Sequence, residues 1–387
     1  MRTYLTRANL ILLDEIAFNG SLLIEDGMIA AINPVAPQFD RSVDLNEQYL
    51  MPGMVDLHSD QIEKLIEPRP GVSFDPEFAY AEADARSAMS GITTPFHALS
   101  FAGVELGLRN DAKAQELVRH LVSHREGKFA QHRIHVRYEV TNWKGPSLIK
   151  EMMQDDLVDL ISVMNHSPGQ GQFRDQAAYV AFMRRTYQVE GESLSRMLDQ
   201  KARNADGAQE RVADLVRQAT RRSIRVASHD DCSEAAVEEA ARLGITISEF
   251  PMNLAAARAA HRLGLKTMFG SPNILRGCSQ GGAIRALDAV MDGSIDCLCS
   301  DYYPATMAPA AFLIPQLAGW TLPAAVRLVT ANPAAAVGLT DRGAIQPGRV
   351  ADLAAVHTSG AYARINRCWH NGVQVYAAAQ SHDIAPD

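Results

Sequence analysis

Six side chains in this chain have the types and positions to hold a divalent metal and activate water. His58 and Asp60 stand two apart, where the stretch "VDLHSDQIEKLIEPRPG" turns from apolar to charged. Residues i and i+2 of a strand share one face, so an imidazole and a carboxylate leave that strand end together. The pattern recurs. "HVRYEV" carries Glu139 at its end, "ISVMNH" closes on His166, "RVASHDD" on His229 and two acids, and "DCLCSD" on Asp301. Singly, each residue has a bland reading. A lone strand-end His is more often hydrogen-bonded structure than a ligand, and an Asp after a strand is often a helix N-cap, a reading open for Asp230 and Asp231. The set is different. Leaving a buried carboxylate without its partner costs about 3–5 kcal/mol, and one or two divalent cations would neutralise several at once. A nitrogen and oxygen donor set without thiolate suits Zn or Mn. His58 and Asp60 would then grip one metal, Glu139 could bridge two, and His166 and His229 would complete a second site. Asp301 would stand beside the metal-bound water as general base, at a metal that brings the water pKa down to about 7.

These residues need a scaffold that gathers strand ends. Eight strand patterns lie near residues 53–58, 92–98, 133–140, 158–165, 223–228, 245–249, 265–269 and 295–300. Helical stretches alternate with them, such as "EAAVEEAARLG" and "NLAAARAAHRLG", each closed by Gly. This is the α/β pattern of a TIM (β/α)8 barrel, spanning 53–340, whose chemistry sits at the C-terminal strand ends. The interval 168–222 is too long and polar for one crossover, and predicts a helical insert over the mouth, a lid. Residues 1–52 and 341–387 read as short strands with tight turns at Asp26-Gly27 and Asn371-Gly372. Neither end can bury both faces alone, so the two should pair into a composite small β domain.

The chain has 387 residues and a net charge of -8, which argues against a nucleic-acid partner. Its five cysteines form no CxxC pair and no even disulfide framework, as expected for reduced thiols in a cytoplasmic protein. No stretch approaches the roughly 18 apolar residues of a membrane span, and the N-terminus lacks a signal-peptide pattern. Homo-oligomerisation is left open.

The ordered motifs "DLHSDQIEKLIEPRPGV", "GITT", "VRYEV", "MNHSPGQGQF", "ASHDD", "SEFP", "GSPNILRGCSQGG", "CSDYYPA" and "TANPAAAVGL" cover nearly the whole chain. Together they resemble the amidohydrolase superfamily. The usual first-strand HxH is replaced here by His58-Ser59-Asp60. That departure is shared with the α-D-ribose 1-methylphosphonate 5-triphosphate diphosphatases of the carbon–phosphorus lyase pathway. The resemblance implies hydrolysis between the α and β phosphorus atoms of a phosphorylated sugar phosphonate, with diphosphate leaving. It carries metal and catalytic roles onto His58, Asp60, Glu139, His166, His229 and Asp301. The superfamily more often bridges its metals with a carboxylated lysine. No lysine stands at a strand end here, so Glu139 takes that role. The two histidines fall on strands four and five, where the superfamily more often uses five and six.

Such a substrate needs convergent cations and N–H donors. The loop "SPNILRGCSQGG" after strand seven supplies Arg276 and Ser279, and loops after late barrel strands frequently bind phosphate; Gly281-Gly282 reads equally as a helix-entry turn. Lys64 and Arg69 are further candidates, against a solvated-loop reading. Arg137 shares the face of Glu139 and points inward. Arg174 on the insert would reach down when a lid closes. Tyr302 and Tyr303 follow the presumptive base and either stack on a ring or pack. His97, at a strand end, reads as a substrate contact or as core, with core favoured, and Cys297 and Cys299 as small residues filling the barrel. Two rival functions remain: hydrolysis of a C–N bond in a cyclic amide or N-acyl substrate, and a non-catalytic subunit, against which stands the intact ligand set.

Overall fold

The computed structural model describes residues 1–69, 71–103, 110–166, 191–279, 282–358 and 362–378, with single positions at 177, 180 and 184. Arg174, Gly281 and most of the first half of the expected insert lie outside the described residues.

Strands β1 (Arg2–Ile11), β2 (Ile16–Glu25), β3 (Met28–Ile32), β4 (Arg41–Asp44) and β5 (Tyr49–Pro52) open the chain. The eight strands β6 (Met54–Ser59), β7 (Ile92–Phe101), β8 (Arg133–Glu139), β9 (Leu160–Met164), β10 (Arg225–His229), β11 (Ile247–Glu249), β12 (Lys266–Gly270) and β13 (Cys297–Cys299) follow. Strands β14 (Leu353–His357), β15 (Arg364–His370) and β16 (Val373–Ala377) return to the first group.

The two ends form one sheet in the order β16-β15-β14-β5-β1-β2-β3, with β4 on β1. Both expected hairpin turns are present. Asp26 and Gly27 have φ of 49° and 82°, Asn371 and Gly372 have 49° and 75°, and such paired positive φ values match a tight hairpin. In the run 343–350, Val350 bridges to Met28, and Ile29 exchanges backbone bonds with Gly348 and Arg349.

The middle strands run parallel in the order β13 to β6, with helices between them. The ring closes where β6 meets β13: Asp301 N donates to His58 O at 2.9 Å, and Asp60 N to Asp301 O at 2.7 Å. Alternation decides what faces inward. On β8, Ile134, Val136 and Tyr138 enter the core against the surrounding helices. His135, Arg137 and Glu139 take the opposite face and are also buried. Inside the ring, Val55, Leu57, Phe96, Leu160, Ala227, Ile247, Met268, Cys297 and Cys299 form their own cluster, so both cysteines fill the barrel.

Two boundaries differ from the sequence reading. The helix Ala208–Arg221 buries Val212, Leu215, Val216 and Ala219 in the wall core. It is an ordinary crossover helix between β9 and β10, so the insert ends before it; the helix Gly191–Asn204 precedes it. Strand β7 continues to Phe101, which leaves His97 in mid-strand and facing outward.

Candidate metal centre and active site

Three groups of ligand atoms lie close enough to share a cation: His58, His135 and Glu249; His58, Asp60 and Asp301; His166, His229 and Asp230. His58 joins the first two. Its Nδ1 lies 2.6 Å from Glu249 Oε1, and its Nε2 lies 3.2 Å from Asp60 Oδ1. Glu249 Oε2 lies 3.9 Å from His229 Nε2. Glu249 therefore stands between the His58 and His229 sides of the ring.

Local backbone geometry aims these side chains. Asp230, Phe250 and Asp301 have φ of 58°, 53° and 54°. Non-glycine residues held in this left-handed region cost about 1–3 kcal/mol each and concentrate at functional sites. Asp230 and Phe250 directly follow β10 and β11, and Asp301 stands two residues past β13. Their N–H groups bond to the neighbouring strand: Asp230 to Glu249 O at 2.9 Å, Phe250 to Met268 O at 2.9 Å, and Asp301 to His58 O at 2.9 Å. Strand β6 also shifts register between Asp56 and Ser59, which re-aims His58. Asp56 itself accepts from Ser300 N at 2.9 Å and Ser300 Oγ at 2.6 Å, which ties strand one to strand eight below the site.

The electrostatics follow from the crowding. Burial opposes charge on His58, but Glu249 and Asp60 raise its pKa to about 10. Burial also opposes ionisation of Glu249, yet His58, His135 and His229 hold it well below the ordinary carboxylate range. Burial, and then the Asp60 charge, push Asp301 up to about 6. Burial takes His135 down to about 3, so it is neutral. Its Nδ1 donates to Leu57 O at 2.9 Å, which leaves Nε2 as a lone pair. That Nε2 is buried with no hydrogen-bond partner, and so is Glu249 Oε2. Buried acceptors without donors are rare because each costs about 1–3 kcal/mol. Unpartnered acceptors amid a surplus of carboxylates fit a divalent cation.

The expected residues distribute as follows. His58, Asp60, His166, His229 and Asp301 fall in the three groups. Glu139 stands apart from those groups. Its carboxylate accepts the His166 N–H at 3.2 Å and lies 3.3 Å from His166 Nδ1, so it orients that imidazole. Glu249, not singled out in the sequence, lies between the His58 and His229 sides of the ring. Arg137 is buried among the site residues, with Nη1 donating to Asp60 Oδ1 at 3.1 Å and Nη2 3.4 Å from His229 Nε2. Arg276 is exposed and donates to Tyr302 Oη at 3.2 Å, one residue beyond Asp301. Ser279 accepts from Asn273 at 3.3 Å. Lys64 and Arg69 are exposed. Asp230 is no helix cap: Ser233 caps the next helix, accepting from Ala236 N at 3.2 Å, and Asp231 binds the Ser228 and Ser248 hydroxyls.

His97 belongs to a second buried histidine group behind the barrel wall. Its Nε2 lies 2.7 Å from His132 Nδ1, and His132 Nε2 lies 2.9 Å from Asp84 Oδ1. The two rings stack at 5.0 Å, with Tyr80 edge-on to both. Asp84 also accepts the N–H groups of Phe129 and Ala130 at 2.9 and 3.1 Å.

Known proteins share this architecture. The amidohydrolase family model matches residues 208–377. N-acetylglucosamine-6-phosphate deacetylase from Pasteurella multocida is 14% identical, with a TM-score of 0.65 over 97% of this chain and 99% of its own. A Xaa-Pro dipeptidase is 16% identical, with a TM-score of 0.66 over 98% of this chain and 100% of its own. These two show the fold. The chain is also 34% identical, over 380 residues, to the alpha-D-ribose 1-methylphosphonate 5-triphosphate diphosphatase of Escherichia coli (strain K12), covering 96% of this chain and 100% of that one. The chain belongs to the amidohydrolase family, on the branch of that diphosphatase. The family uses divalent metals, and the three ligand groups here are of that kind.

Proposed function

We propose that this protein is a metal-dependent hydrolase that cleaves the α–β phosphoanhydride of alpha-D-ribose 1-methylphosphonate 5-triphosphate, releasing diphosphate and the 5-phosphate. One observation carries the reading: a carboxylate-rich ring gathered at the strand ends of a chain that aligns end to end with a diphosphatase. His58, Asp60 and Asp301 would hold one cation, Zn or Mn by donor type, and His166, His229 and Asp230 another. Bound there, a divalent cation supplies charge neutralisation at phosphoryl oxygens and acidifies water.

The chain's own residues supply the rest. Asp301, closing the barrel, takes the proton of the attacking water on its carboxylate. Glu139 fixes the ring plane of His166. Arg137 holds Asp60 in place and adds a buried positive charge toward the substrate. Phe250 packs edge-on against His58 and His229 and excludes water from their apolar side. Arg276, bonded to Tyr302 one residue past Asp301, would meet a phosphate oxygen, with Ser279 on the same loop. All five thiols are free, and among the described residues no helix is long and apolar enough to cross a membrane. The free thiols favour a reducing, cytoplasmic setting.

Phosphorus NMR of the metal-loaded protein with the ribose 1-methylphosphonate 5-triphosphate tests the reading. Diphosphate should appear. An unchanged triphosphate spectrum together with turnover of a cyclic amide or N-acyl compound would move the activity to a C–N bond.

A further inference from the structure

Behind the ring stands a buried acid that the proposed chemistry leaves unused. Asp231 is 6% exposed and directly follows Asp230. Its carboxylate turns back toward the two strands that end beside it. Ser228 on β10 and Ser248 on β11 are register partners. Both hydroxyls donate to Oδ2 of Asp231, that of Ser228 at 2.6 Å. The main chain adds a third tie, since Met252 N donates to Asp231 O at 2.9 Å. One residue thus fastens the turn after β10 to the end of β11 and to the turn after that.

Strand alternation converts this tie into an aim. Ala227 and Ile247 face the barrel interior, so Ser228 and Ser248 face the wall. The next register pair, His229 and Glu249, faces inward again, and Glu249 Oε2 lies 3.9 Å from His229 Nε2. Left-handed Asp230 and Phe250 follow at once. Such backbone persists only where its surroundings over-determine it. The same pairing of serine and buried acid stands at the third left-handed residue: Ser300 Oγ, one place before Asp301, donates to Asp56 at 2.6 Å. Each left-handed residue of the ring therefore follows, by one or two places, a serine held on a buried carboxylate. A buried carboxylate is costly to keep unless it is hydrogen-bonded, and hydroxyl bonds to it are among the short, strong ones.

We infer that Asp231 is a positioning residue of the metal centre: by tying Ser228 to Ser248 it sets the direction in which His229, Asp230 and Glu249 enter the ring. The inference rests on the metal-centre reading of the strand ends and not on the identity of the substrate.

The test is the affinity and visible absorption of cobalt(II), loaded into chelator-stripped protein, for wild type and four variants. Ser228→Ala/Ser248→Ala removes both hydroxyls. Ser248→Ala alone leaves one bond in place and keeps the test open if the double variant does not fold. Asp231→Asn still offers an oxygen that accepts both hydroxyls. Val216→Ala, in the wall core on the helix Ala208–Arg221, lowers stability without touching the tie. Cobalt affinity, by competition with a chelator, should fall about tenfold in the double variant and about threefold in Ser248→Ala, with the bands of the bound ion displaced. Asp231→Asn and Val216→Ala should keep affinity within about twofold of wild type and leave the bands in place. Unmoved affinity and bands in both serine variants overturn the inference. So does an equal loss in Val216→Ala, which would trace the effect to stability, or in Asp231→Asn, which would trace it to charge. Those outcomes leave the metal reading standing. Wild type that takes up no cobalt would sink that reading and the inference with it.

Discussion

The molecule buries two groups of histidines and carboxylates, and they differ in balance. Behind the barrel wall, one carboxylate serves two histidines: Asp84 accepts from His132, His132 accepts from His97, and the stack sits against Tyr80. Burial, and for His97 also the neighbouring His132, lower both imidazole pKa values. At the strand ends, Asp60, Asp230, Glu249 and Asp301 crowd four imidazoles, with left-handed backbone at Asp230, Phe250 and Asp301. The first group sets one carboxylate against two imidazoles, with His97 Nδ1 and Tyr80 Oη left without hydrogen-bond partners among the described residues. The second carries more negative charge than its own side chains neutralise comfortably, and it holds lone pairs on His135 and Glu249 with no donor. Histidine count does not separate a centre from a brace. The ratio of carboxylates to imidazoles, and the backbone strain spent on aiming them, does.

The largest effect should come from the ring. Asp301→Asn removes the proton acceptor, and kcat for the triphosphate should fall by about 10²–10⁴-fold in steady-state kinetics. A loss under threefold would remove Asp301 from the chemistry. Glu249→Gln should weaken divalent-metal affinity at least about tenfold in competition with a chelator, whereas His132→Gln should leave it within twofold. Equal losses in both would erase the contrast between the groups. Asp84→Asn breaks charge-assisted bonds to Phe129, Ala130 and His132, and should cost about 1–3 kcal/mol in denaturant unfolding with activity per folded molecule retained. Lost activity at full stability would make the brace part of the centre.

The smallest effect is a slope. The folded pKa of His97 lies well below 6.5. Below that pH the unfolded chain takes up a proton that the folded chain refuses. Stability from this group is present above 6.5 and is lost as pH falls, by up to about 1.4 kcal/mol per pH unit. Unfolding of His97→Gln at pH 7.5, 6 and 5 should show a shallower acid decline than wild type. Identical slopes would show that His97 is protonated in the fold.

Much of this contrast was legible in the sequence. All eight barrel strands lie where the alternation puts them, because buried parallel strands leave continuous apolar runs. His58, Asp60, His166, His229 and Asp301 were readable as strand-end polar residues. Glu249 was not singled out, because β11 is only three residues long and its acid passes for part of the motif "SEFP". The available signal was phase: Ile247 faces the barrel interior, so Glu249 must too. His135 carried the same signal, two residues before Arg137 on one face. His97 was misplaced at a strand end because nothing local marks that β7 runs on to Phe101. Asp230 resembled a cap, and only the fold shows Ser233 doing that work.

The most direct test of the contrast is metal content. Protein stripped with chelator, reloaded with Zn or Mn and gel-filtered would be measured by plasma mass spectrometry for wild type, Glu249→Gln and Asp84→Asn. The account predicts stoichiometric metal in wild type and Asp84→Asn, and a marked deficit in Glu249→Gln. Equal content in all three, or none in wild type, would contradict it.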